Sequence, residues 1–233
     1  MKKGKRLYIN ITNRCNTNCP FCCMYSGTEN HLDMDFETYK KIIDDCKTDF
    51  ELQLEGGEPL IHPTLYLLME YAVSKKTCRK LIILTNGILL NDELKRLVDF
   101  SVYHNIEMEL KISINYWLIK EHKEHIAQIK RYIFDIAYIP TMKITCNVRL
   151  RKEDKQLEKE IREDKVLYGH SNLFYLQSYG RLNDSEEYEK PVIVQNIEEW
   201  SVYAVDGTDF KTDLVGRSEY EYKLQLEEQN EYH

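Results

Sequence analysis

Long apolar runs are what this chain most plainly lacks. Nowhere in its 233 residues is there a stretch near the ~20 apolar positions a membrane span needs. The opening MKKGKRLYINIT is basic but carries no apolar segment of signal-peptide length. A cytoplasmic location and no membrane partner are therefore expected. An excess of positive charge is also missing: 32 Lys and Arg stand against 39 Asp and Glu, a net charge of −7. That balance argues against broad, non-specific nucleic-acid binding, which needs a basic footprint. It leaves a nucleotide, a peptide or one structured RNA open as substrate. Internal repeats and low-complexity tracts are absent as well. What remains is 42% hydrophobic and 30% charged, the composition of a soluble, folded chain with a sizeable core. The length suits one α/β domain, or a domain with a small appendage.

Cysteine is unevenly spent. Of seven, none lies beyond Cys146; Cys46, Cys78 and Cys146 are scattered singly, whereas Cys15, Cys19, Cys22 and Cys23 fall within nine positions. A disulfide framework is not expected of a cytoplasmic chain, so the local density asks for a metal or cluster.

Along the chain, β-like and α-like segments alternate. Residues 6–12 (RLYINIT), 51–55 (ELQLE), 80–85 (KLIILT), 107–115 (EMELKISIN), 143–150 (KITCNVRL) and 172–178 (NLFYLQS) read as strands. Helical spacing predicts helices over 35–47, with Asp33 or Asp35 as cap, over 63–74 with Pro63 in the first turn, and over 92–103, 118–137 and 152–164. Six such units imply a mostly parallel sheet. The span is short of the ~250 residues of a full eight-unit barrel, so a partial barrel or an open doubly wound sheet both fit. Beyond Gly180 the character changes. Residues 181–199 are acidic and weakly patterned, 200–211 (WSVYAVDGTDFK) carry a hairpin signal at Asp206-Gly207, and a charged, frayed tail is expected from Glu219.

The cysteine loop reads CNTNCPFC, a C-x3-C-x2-C pattern directly after the first strand. Three thiolates on one tight loop can bind three irons of a cubane cluster and leave the fourth open. Cys23 is a possible fourth ligand, but adjacent residues point apart in an extended chain. Cys22 is therefore assigned as ligand and Cys23 as a small buried hydrophobe. The rival reading is a zinc-binding interaction module that completes four ligands with Cys23 or His31.

Three motifs in order resemble the radical S-adenosylmethionine (SAM) superfamily: the cysteine loop with Phe21 before its third cysteine, Gly56-Gly57-Glu58-Pro59 ending the second strand, and Leu84-Thr85-Asn86-Gly87 ending the third. The resemblance covers about residues 6 to 180. It implies a partial (β/α)6 TIM-like barrel over 1–180 with a C-terminal extension over 181–233. It implies a [4Fe–4S] cluster on Cys15, Cys19 and Cys22, with SAM chelating the open iron. The Gly56-Gly57 turn would let the backbone approach the methionine moiety, Glu58 would face its ammonium, and Pro59 would stiffen the turn. Asn86, Ser113, Asn115, Asn147, Arg149 and Gln177, at or near strand ends where parallel sheets bind ligands, are the further candidates for SAM, and Phe21 would lie near adenine or cover the cluster. Asn115 departs from the Ser-x-Asp that many relatives carry there, yet it can still donate and accept. Core packing is the expected role of Tyr175.

The implied activity is reductive cleavage of SAM to methionine and a 5′-deoxyadenosyl radical, with one electron from a flavodoxin or ferredoxin. The radical would abstract hydrogen from a substrate that the sequence does not name. Negative charge and seventeen tyrosines favour a peptide or protein. Later cysteine clusters, which peptide-modifying relatives often carry, are absent. His122 and His125 are read as a solvated helix face. A protein that binds SAM but serves as a scaffold is the remaining alternative.

Overall fold

The computed structural model describes residues 5–183, 185–191 and 199–231. Its elements run β1 (Lys5–Thr12), α1 (Phe36–Asp45), β2 (Phe50–Gly56), α2 (Leu65–Val73), β3 (Cys78–Thr85), α3 (Leu90–Tyr103), β4 (Glu107–Asn115), α4 (Tyr116–Glu121), α5 (His125–Asp135), β5 (Met142–Leu150), α6 (Lys155–Glu163), α7 (Lys165–His170), β6 (Ser171–Tyr175), β7 (Trp200–Tyr203) and α8 (Leu214–Glu231). Two compact units divide the chain: Met1–Leu81 with Gln177–His233, and Ile82–Leu176. Among the described residues the strand order is β6-β5-β4-β3-β2-β1-β7, an open sheet with β6 and β7 at its ends.

In the first unit β1 pairs in parallel with β2 on one side and with β7 on the other. One face is apolar: Leu7, Ile9, Leu52 and Leu54 are buried, as are Tyr39, Ile42 and Ile43 of α1 and Leu68, Met69 and Ala72 of α2. The other face is polar. Tyr8 lies opposite Gln53, and Asn10 opposite Glu55. A parallel strand usually reads as apolar on both faces, so this alternation marks a face that is not ordinary core. Asp35 caps α1, its Oδ1 accepting from the Thr38 amide at 2.9 Å.

In the second unit β4, β5 and β6 are parallel, and Leu110, Ile112, Ile114, Ile144, Cys146, Val148 and Leu150 are buried. The register sets Ser113 opposite Asn147 and Asn115 opposite Arg149, so these four share one face of adjacent strands.

Several expectations are corrected. Pro63 precedes α2, which starts at Leu65; a 3-10 turn, Pro59–Ile61, comes before it. The helix expected over 118–137 is two helices. His122 leaves helical geometry at φ −131°, ψ 89°. Its neighbour His125 is buried rather than solvated, its ring within 2.9 Å of the Ser113 carbonyl. Tyr175 is exposed, and its hydroxyl donates to Glu158 at 3.1 Å. The segment at 200–211 does turn back at Asp206-Gly207, with Phe210 N donating to Val202 O, but its first arm also extends the parallel sheet beside β1. The tail from Glu219 belongs to α8, whose start Asp213 caps through the Gly216 amide at 2.8 Å. Of the acidic stretch 181–199, residues 184 and 192–198 lie outside the described residues. No helix among the described residues is long and apolar enough to cross a membrane.

Candidate functional site

The cysteine loop leaves β1 and folds back beside it. Cys15 N donates to Gly27 O at 3.0 Å, Asn13 N to Leu32 O at 2.9 Å, and the Arg14 guanidinium pairs with Asp33 at 2.9 Å. None of the four loop cysteines is in a disulfide, and all four are partly exposed. The Thr17 hydroxyl lies 3.7 Å from Cys15 Sγ and 3.3 Å from Cys19 Sγ, so it bridges two of the expected ligands. Burial raises the pKa of both thiols. It pushes the Cys22 thiol up to about 12, the neighbouring Cys23 adding to this and the Arg181 guanidinium opposing it. Thiols held neutral in this way suit a site that deprotonates only when a positively charged centre is bound.

The glycine turn is fastened to this loop. Gly57 N donates to Thr12 O at 2.7 Å and Glu58 N to Arg14 O at 2.9 Å. A Cβ on Gly57 would sit 2.0 Å from Arg14 O; one on Gly56, whose φ is +134°, would sit 2.0 Å from Asn10 Oδ1. The glycines are thus required by the close approach of the chain to itself, Gly56 at Asn10 and Thr12 and Gly57 at Arg14, the residue before Cys15. Glu58 is fully buried, and its Oε1 accepts from Leu60 N at 3.1 Å, opening the 3-10 turn with Pro59 in first place. Phe21 is half-buried in the loop. Gln177 lies just beyond the end of β6, not on it, and is half-buried.

The remaining candidates belong to the second unit. Asn86 Oδ1 accepts from Ile88 N at 3.0 Å and shapes the turn at Gly87. Asn115 Oδ1 caps α4 through Leu118 N at 2.9 Å. Arg149 lies over the Phe174 ring at 4.6 Å. Ser113 and Asn147 are half-buried on the same face.

Sequence reasoning missed a set of residues around the loop. Glu221, fully buried in α8, accepts from Asn10 Nδ2 at 2.5 Å, Asn13 Nδ2 at 2.8 Å and Val205 N at 2.9 Å. Arg217, 4% exposed, sets Nη1 2.7 Å from Glu55 Oε1, a distance without hydrogen-bond alignment, and its Nε has no hydrogen-bond partner among the described residues. Burial opposes that charge, but Glu55, Cys23 and Glu221 together raise the guanidinium pKa above its ordinary value. Gln225 donates to Met24 O at 2.9 Å and accepts from Asn30 at 2.7 Å. A signal was present: Arg217, Glu221 and Gln225 form an i, i+4, i+8 stripe, and Asn10, Gln53 and Glu55 alternate with the apolar residues of their strands.

The residues present fit a multi-iron cluster better than one ion. Three thiols stand on one loop, two of them on a shared hydroxyl, while no three His, Cys, Asp or Glu side chains among the described residues are grouped to hold a single metal ion. His31, the suggested zinc ligand, is exposed.

The family model described as "Radical SAM superfamily" matches residues 9–141. The chain is 38% identical over 103 residues to the tungsten-containing aldehyde ferredoxin oxidoreductase cofactor-modifying protein of Pyrococcus furiosus, covering 42% of this chain and 28% of that one. It is 33% identical over 85 residues to the antilisterial bacteriocin subtilosin biosynthesis protein AlbA of Bacillus subtilis, covering 36% and 18%. The matched stretches thus span less than a third of either relative. Streptococcus suis SuiB bound to precursor peptide SuiA is similar in fold, with a TM-score of 0.58 at 14% identity over 82% of this chain and 43% of that one.

Proposed function

The chain belongs to the radical SAM superfamily, whose members are enzymes, and from that premise we propose that it cleaves SAM reductively on a [4Fe–4S] cluster held by Cys15, Cys19 and Cys22, to act on a peptide or protein. A cluster on these thiols would provide the one electron that divides SAM into methionine and a 5′-deoxyadenosyl radical able to take hydrogen from a substrate. The chain's own residues do the rest. The loop presents three thiols that would hold three irons of such a cluster. Gly57 and Glu58, bonded to Thr12 and Arg14, fix the turn at a set distance from Cys15. Backbone carbonyls of that turn and the buried Glu58 carboxylate suit the SAM ammonium, while Phe21 shields the site from water. Asn86, Ser113, Asn115, Asn147, Arg149 and Gln177 remain the proposed polar partners for the rest of SAM.

The single observation that carries this reading is the direct fastening of the glycine turn to the residue before Cys15, since it joins two motifs 41 positions apart into one structure. The peptide reading draws on the chain's negative charge and tyrosines and on the relative named for bacteriocin biosynthesis. A flavodoxin or ferredoxin is the proposed electron donor.

Anaerobic protein reconstituted with iron and sulfide, then given dithionite and SAM, should release 5′-deoxyadenosine, and a Cys19→Ala variant should hold no intact cluster. About one zinc per chain with no sulfide would overturn the cluster in favour of the interaction module. An intact cluster without 5′-deoxyadenosine would favour a scaffold.

A further inference from the structure

The C-terminal segment holds the cysteine loop by its carbonyls. Arg181 Nη1 donates to Cys19 O at 2.7 Å, Arg181 Nη2 to Tyr25 O at 2.9 Å, and Arg181 N to Cys22 O at 3.1 Å. Ser218 Oγ donates to Cys23 O, and Gln225 Nε2 to Met24 O at 2.9 Å. Five loop carbonyls, those of Cys19, Cys22, Cys23, Met24 and Tyr25, therefore take donors from residues 181–225. In return the Tyr25 hydroxyl donates to Gly180 O at 2.8 Å, and Tyr25 stacks on Tyr222 with centroids 4.4 Å apart. The fit at the base of this clamp is close. Gly180 has φ +63°, and a Cβ there would lie 2.4 Å from Cys23 Cα and 2.7 Å from Cys22 O.

One of these donors is charged. The Arg181 guanidinium binds the loop on both sides of Cys22, at the carbonyls of residues 19 and 25. A fixed cation stabilises the more negative of two redox states, and the potential of an iron–sulfur cluster follows the charge and hydrogen bonding around it. We propose that Arg181 is a positioning residue for the cysteine loop, and that its charge raises the reduction potential of the cluster the loop holds. It touches no reacting atom; it acts through the loop. This rests on the cluster reading above.

Two measurements test it. The first is made before reconstitution and does not depend on a cluster: amide hydrogen exchange across residues 19–25 should be faster in Arg181→Gln than in wild type. Unchanged exchange overturns the positioning role. The second is an EPR-monitored redox titration of reconstituted protein, with iron and sulfide quantified. Arg181→Gln should titrate at a more negative midpoint than wild type, and Arg181→Lys, which keeps charge but loses the two-sided grip, should return toward the wild-type value. A wild-type midpoint in Arg181→Gln at full iron content overturns the electrostatic role. If Arg181→Gln is isolated without iron, Gln225→Ala and Arg181→Lys take its place: both keep the cation, so both should titrate near wild type, and a large negative shift in either overturns that role. Wild-type protein that takes up no iron or sulfide refutes the cluster reading, while the exchange result still decides the clamp.

Discussion

At the scale of single residues, the sharpest constraint is steric. A methyl group on Gly57 meets the Arg14 carbonyl at 2.0 Å, and that carbonyl cannot give way, because it accepts from Glu58 N and directly precedes Cys15. Gly57→Ala should cost about 1–3 kcal/mol, read as a lower urea midpoint, and should lower cluster uptake as well. An unchanged midpoint would show that the turn relaxes without moving the loop. A second residue-scale consequence concerns pH. Burial holds the His125 pKa below its ordinary value of about 6.5. The folded site favours the neutral ring, whereas the unfolded chain takes up a proton once the pH falls below that value. Its contribution is therefore fully present above pH ~6.5 and is lost as the pH falls toward the depressed folded pKa. His125→Gln should show a shallower fall in unfolding free energy between pH 7 and 5 than wild type. His62, whose pKa burial also lowers, keeps part of the slope. An identical slope in both proteins would remove His125 from the account.

At the scale of elements, α8 shows what local pattern can and cannot disclose. Its charged residues read as a solvated, frayed end, yet Arg217, Glu221 and Gln225 are all buried. The i, i+4, i+8 stripe was visible; its partners were not, because Asn10, Asn13 and Glu55 lie more than 150 positions earlier in the chain. The same holds for β7: the hairpin signal at Asp206-Gly207 is local, whereas its parallel pairing with β1 joins residues nearly 200 positions apart. By contrast β1 to β5 fall within two residues of expectation, since apolar runs bounded by turn residues are self-announcing. The break between α4 and α5 carried no Gly or Pro to mark it. For the buried Arg217–Glu55 pair, removing one partner strands a charge, at a cost of about 3–5 kcal/mol. Arg217→Met should therefore be strongly destabilised in urea, and Arg217→Met with Glu55→Leu should recover much of the loss. A double variant no better than the single one would show that Glu221, Cys23 or the Asn10–Asn13 network also depends on the guanidinium.

At the scale of the whole molecule, the two compact units can be followed separately, because the chain has two tryptophans and each unit holds one. Trp200 lies in β7, edge-on to Tyr8 at 5.3 Å, in the unit that carries the cysteine loop; Trp117 lies in α4, in the other. A ligand that binds only the folded state raises its stability by mass action, about 2.7 kcal/mol at a hundredfold excess over Kd. For a chain of this size that corresponds to a rise of about 5–10 °C in melting midpoint. The three proposed cluster ligands all sit in the Trp200 unit, so the gain should register there first. Reconstitution with iron and sulfide should raise the midpoint reported by Trp200 in Trp117→Phe protein, and a chelator should reverse it. The midpoint reported by Trp117 in Trp200→Phe protein follows only to the degree that the units unfold together. A midpoint at Trp200 that ignores iron and sulfide, in protein shown to contain both, would place the cluster somewhere other than the loop.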